Sequence, residues 1–288
     1  NLEDHFGTSV ALNSDGTRLV SASPYHDANG DQSGLVRVYT LKDDLTSWEQ
    51  YGQSILGSSK SYFGTSVDIS DLGNTIAIGA QGTGEARVYT FDAAQDQWLP
   101  LGESIGHVQS DDETGRSVSL NGDGDVLVVG SPYYTDNSRT NPEGNAVGAV
   151  RVMRFVESEG AWQQLGSLIV GEGQGDRFGW SVDVDTNGFT LSAGAPNNSE
   201  LGEDAGHVRV YNFEESSNSW EQISSDLDAE SAEDRFGISV AISGTGFAVA
   251  AGAHNNDGNG VQAGHVRTYA VPNAFTTYED SEPQTIIV

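Results

Sequence analysis

The chain has 288 residues, 36% of them apolar, enough for one large domain or two small ones. Forty-two acidic residues against 13 Lys and Arg leave a formal charge of −29, which repels nucleic acid and anionic lipid and attracts cations or basic surfaces. The lack of cysteine excludes disulfides, thiol catalysis and cysteine metal sites. No apolar run approaches the ~18–20 residues of a membrane helix, and no charged-then-apolar leader opens the sequence, which reads as soluble and already processed.

The chain opens on a short strand, FGTSVAL at Phe6, that recurs as FGTSVDI at Phe63, TGRSVSL at Thr114, FGWSVDV at Phe178 and FGISVAI at Phe236. A turn glycine follows nine residues after the first glycine in every copy: Gly16, Gly73, Gly124, Gly188 and Gly246. The NSDG and NGDG stretches predict type I′ hairpins, which lead into second strands such as TRLVSASP and VLVVGSP. After a loop of variable length comes a third strand with a central arginine: GLVRVY, GEARVY, GAVRVM, GHVRVY and GHVRTY. A fourth strand carries Trp48, Trp98, Trp162 or Trp220, and in the last copy FTTYEDSEPQTIIV stands in its place.

Period-two alternation and tight turns make each unit four antiparallel strands, and five such units predict an all-β fold, a five-bladed β-propeller. The chain reads as one domain with repeats at about 4–60, 61–111, 112–174, 175–232 and 233–288. From the glycine of each third strand to the next repeat the spacing is 30 or 31 residues, and the two chain ends together supply 31. That arithmetic suits a closed ring with blades one and five adjacent; a piece of a six- or seven-bladed propeller gives the same spacing.

The FG start, the Ser-Val strand, the GAP at Gly194 to Pro196 and the GHVRVY strand together resemble FG-GAP repeats, the units of the integrin α-subunit head. The resemblance covers essentially the whole chain. It implies extracellular or cell-surface recognition and adhesion, with no chemistry in the propeller, and calcium held in the first hairpin loop by an Asp-x-Asp/Asn-x-Asp-Gly-x-x-Asp pattern. DVDTNGFTL retains Asp183, Asp185 and Asn187 of that pattern but ends on Leu191.

Calcium has a second candidate seat among the loops between second and third strands. Asp27, Asn29, Asp31 and Ser33 fall at alternate positions, the spacing that turns successive oxygens toward one cation, and Asp257 with Asn259 repeats the start of that pattern. Asx-turns account for the same residues. These loops hold most of the length variation, so they form the expected binding face for a protein, glycan or mineral partner. The repeated Arg37, Arg87, Arg151, Arg209 and Arg267 read as architecture, each laid on a fourth-strand Trp or forked onto a carboxylate such as Asp4, Asp176 or Asp234. Six histidines show no metal spacing, and the expected function is non-catalytic recognition. A polysaccharide lyase or glycosidase using loop carboxylates, and a structural subunit of a surface assembly, are the alternatives.

Overall fold

A computed structural model describes residues 4–109, 111–136, 146–271 and 286–287. The fold is all-β: five blades of four antiparallel strands, a β-propeller, with no helix among the described residues. The middle of the third loop (137–145) and most of the segment replacing the last Trp strand lie outside the described residues. By packing, the chain divides into two compact units, Asn1–Val129 with Met153–Gln163, and Gly130–Val152 with Gln164–Val288.

The fourth blade shows the unit. Its first strand, Ser181–Val184, pairs with Thr190–Ala195, which pairs with the long third strand His207–Glu214. The fourth strand is two segments, not the single run expected. Ser219–Gln222 pairs with Tyr211 to Glu214, and Leu227–Asp228 pairs with His207 and Val208. Between them the chain leaves the sheet opposite Arg209, and the first three blades are broken in the same way.

The hairpin turns also depart from expectation. A type I′ turn needs positive φ at both central residues, yet in Asn13–Gly16 only Gly16 has it. Each turn is closed by the glycine N–H onto the residue three back, and then by a polar side chain at the first position. Asn13, Asn121 and Asp185 accept from Arg18, Val126 and Thr190 N–H, and the hydroxyls of Ser70 and Ser243 accept from Thr75 and Ala248 N–H. A left-handed glycine after two ordinary turn residues suits a bulged hairpin.

The second strands of blades two, three and four are buried on both faces, whereas in blade five Ala248 is exposed and Ala250 half-buried on one face. In the first unit, Ile76 and Ile78 join Val20, Val36 and Phe63 between blades one and two, while Ala77 joins Val118, Leu127 and Val129 toward blade three. In the second unit, Val208, Val210, Phe236, Val249 and Tyr269 fill the layer between blades four and five. The repeated tryptophans tie the same layers at their rims: the indole N–H of Trp98, Trp162 and Trp220 donates to the carbonyls of Tyr51, Leu101 and Leu165, each in the preceding blade's outer break.

Four repeats carry an FG aromatic, and its burial differs sharply along the chain. Phe63, Phe178 and Phe236 are at most 1% exposed, whereas Phe6 is 62% exposed, with Val10 and Leu12 beside it also open. Phe178→Ala is therefore expected to cost about 3–5 kcal/mol by leaving a cavity, and Phe6→Ala under about 0.5 kcal/mol. Denaturant melts of the two variants check this; equal losses would show that Phe6 is covered in solution.

Candidate functional site: the loop rim of the blades

The loops between second and third strands of blades four and five are fastened at their bases in the same way. In blades four and five the acid two residues before the FG aromatic, Asp176 or Asp234, is buried and accepts from the side-chain amide of a loop asparagine, Asn198 or Asn256, at 2.9 Å. These acids thus fasten loops instead of meeting the arginines. Asp4, at the same repeat position, lies 3.7 Å from His26 of the first loop. Above the fixed bases the tips are open: Leu201 is exposed, and Val261 is 90% exposed. In blade two the loop is short, and a polar cavity of about 350 Å³ opens there, lined by Gln81, Thr83, His107, Asp111 and Glu113 among others.

Of the side-chain oxygens proposed from sequence for calcium, those of Asp27, Ser33, Asp183, Asp185 and Asp257 are engaged with backbone. Asp27 Oδ1 accepts from Gln32 N–H and Asp257 Oδ1 from Gln262 N–H, the same turn in two loops. Asn29 donates its amide to Gly57 O, Ser33 Oγ bonds Asn29 N–H and His26 O, and the Asp31 carbonyl accepts from Lys60 N–H. Asn259 makes no contact that bears on the site. Asp183 links two blades: Oδ1 accepts from Val184 N–H and Oδ2 from Ile242 N–H across the layer, as Asp68 does toward Leu120. Asp185 closes its own turn.

The repeated arginines meet different partners from blade to blade. Arg37 Nε donates to Ser54 Oγ, Arg87 pairs with Glu85 at 2.9 Å, and Arg267 lies 4.7 Å above the Phe236 ring while donating to Asp228 O. The aromatic beneath Arg267 is thus the FG phenylalanine, not a tryptophan. Arg151 is half-buried on its strand. Arg209 is 5% exposed and forks onto Asp226, with Nε 3.1 Å from Oδ1 and Nη2 2.9 Å from Oδ2; it also pairs with Glu172.

Around Arg209 the structure gathers a set that spacing alone did not mark. His207 is 1% exposed, and its Nδ1, 3.4 Å from Asp226 Oδ2, makes no hydrogen bond. One ligand atom each of His207, Asp226 and Asp228 lie within 4.8 Å of one another, and Glu172, Glu200 and Asp226 form a second such group. Burial works against ionisation of Asp226, but the hydrogen bonds from Arg209 and Gln222 outweigh it and hold the carboxyl below its ordinary range. Burial pushes the Asp228 carboxyl up, and the charge of Asp226 adds to the shift. The signal was present in the sequence: Asp226-Leu227-Asp228 stands where earlier repeats have Ser54-Ile55-Leu56, Ser104-Ile105-Gly106 and Leu168-Ile169-Val170. Of the oxygens assigned to calcium from sequence, none belongs to either group.

Residues 226–269 match the FG-GAP repeat family profile. No curated protein is significantly similar to the chain in sequence. Among solved structures, a candidate 6-phosphogluconolactonase from Bacteroides uniformis matches with a TM-score of 0.62 at 10% identity, over 97% of this chain and 70% of that one. Hydrazine synthase of Kuenenia stuttgartiensis matches with a TM-score of 0.55 at 12% identity, over 91% of this chain and 64% of its own. TolB of Acinetobacter baumannii matches at 0.51 and 14%, over 91% and 51%. The chain thus spans less than two thirds of the last two proteins, and at these identities the likeness is one of fold. Taken with the blade geometry, these matches identify the chain as a five-bladed β-propeller that carries an FG-GAP repeat at residues 226–269.

Proposed function

We propose that the chain is a non-catalytic recognition propeller of the cell surface or extracellular space, which binds a protein or glycan through the loops between its second and third strands. The observation that carries this reading is the contrast within those loops. In blades four and five the loop bases are fixed by buried Asp–Asn pairs while Leu201 and Val261 at their tips are open, and loop length varies from blade to blade. A rigid scaffold under variable, exposed loops lowers the ordering cost of binding and leaves the contact chemistry free to differ. The polar cavity of blade two is of the size that holds a small ligand or one sugar unit. The strong negative charge favours a basic or cation-bridged partner over nucleic acid or a lipid surface. Calcium in the Asp27 loop enters this reading as an aid to ordering that loop.

The test is a glycan array probed with the whole chain and with His107→Ala, Leu201→Ser and Val261→Ser. A bound glycan whose affinity drops at least about tenfold in one of these variants, with unchanged melting, supports the rim as the contact surface. Unsaturated or reducing-end products released from that glycan would replace the reading with an enzymatic one. Binding indifferent to all three changes would remove the rim from it. Melting with and without millimolar Ca²⁺ checks the loop cation, since a ligand that prefers the native state raises its melting temperature.

A further inference from the structure

We propose that the fourth blade holds one divalent transition-metal ion, of the Zn²⁺ or Mn²⁺ class, between His207, Asp226 and Asp228, with Glu172 and Glu200 at its solvent side. Four carboxylates against the one guanidinium of Arg209 leave the place strongly negative. Acidic side chains gather easily on a chain of this charge, so the decisive observation is the histidine. His207 is almost completely buried, and its Nδ1 faces the Asp226 carboxylate without a hydrogen bond. Burying a ring nitrogen without a hydrogen-bond partner is costly, and the fold does not demand it. At the His207 position blades one to three carry Leu35, Glu85 and Ala149, and none has an acid at the positions of Asp226 or Asp228.

The outer-strand break explains how the ligands meet. Asp226 comes from the segment that leaves the sheet, Asp228 from the paired segment directly opposite His207, and Glu200 from the loop between the second and third strands. Ligands about 2.0–2.2 Å from a metal stand somewhat closer together than the 4.8 Å limit here, so a small side-chain rotation completes the set. An imidazole nitrogen beside carboxylate oxygens suits a borderline metal better than Ca²⁺, which takes six to eight oxygens. Glu200 places the ion at the loop end of blade four, where it would give the rim a cation; metal binding itself needs no macromolecular partner, so it stands or falls apart from the recognition reading.

The test is calorimetric titration of the chelator-treated 288-residue chain with Zn²⁺ alone and with Ca²⁺ alone. One tight Zn²⁺ per chain is expected, weakened at least tenfold in Asp228→Asn, which leaves the Arg209–Asp226 fork intact, and unaltered in Asp27→Asn. Asp228→Asn also keeps the test valid if His207→Gln fails to fold. In ¹⁵N spectra the His207 ring nitrogens should shift on adding one equivalent. Absence of a stoichiometric site, binding that Asp228→Asn leaves unchanged, or His207 ring nitrogens that do not shift with metal would each overturn the proposal.

Discussion

Replacing Gly206 with alanine is expected to cost at least about 4 kcal/mol, enough to place it among the most damaging single changes in the chain. Gly206 opens the third strand of blade four with φ +85, and a Cβ there would lie 2.2 Å from Phe236 O and 2.6 Å from Phe236 N. Those are backbone atoms, already fixed by the bond from Phe236 N–H to Ala205 O, so no side chain can swing aside. Left-handed strain alone amounts to only about 1–2 kcal/mol; the overlap decides the outcome. Gly34 against Phe63 and Gly148 against Phe178 repeat the contact as parallel bridges. The control is Gly84. The third repeat has Thr114 in place of its FG phenylalanine, and the nearest atom to a Gly84 Cβ is the side chain of His107 at 3.3 Å. Gly84→Ala is expected to lose about 1–2 kcal/mol. Urea unfolding of both variants measures the difference, and equal losses would show that the blades can slide apart to admit a methyl group.

That contact also explains what could be read from the residues in order and what could not. The FG pair, the third-strand glycine and the buried Val of each strand recur at fixed spacing because every blade must present the same backbone surface to the next. Repetition of one physical requirement therefore shows directly as repetition of letters. Asp185 was harder to place, since an acid at a turn serves a cation or an N–H equally well. Only the structure shows that Asn13, Ser70 and Asn121 do the same work with no charge. Asp183 binds a backbone N–H 59 residues away, a pairing with no local period to reveal it. The break in the fourth strand was hidden for a related reason. Its two halves carry Trp220 and Leu227 seven residues apart, an irregular spacing in which nothing shows that Asp226 leaves the sheet to meet Arg209. Trp220 shows the same limit, its repeat position being plain while its bond to Leu165 in the preceding blade is not.

Arg209→Ala should be the other severe substitution, losing about 3–5 kcal/mol and lowering the melting temperature by about 10 °C. The guanidinium is enclosed, and it is the cation that the structure sets against Asp226 and Glu172. Removing it leaves carboxylates facing one another around His207, with Asp228 already resisting ionisation through burial and the nearby Asp226 charge. Arg37→Ala gives the comparison: its partner is the hydroxyl of Ser54, so its loss is expected near 1 kcal/mol. Arg209→Lys separates charge from shape, because an ammonium restores the positive sign but cannot make the two parallel bonds to Asp226, and recovery of less than half the loss is expected. Melts of the three variants in chelator decide the matter. If Arg37→Ala and Arg209→Ala lose the same amount, the repeated arginine acts through the packing of its aliphatic stem, and the acids around His207 tolerate one another without it.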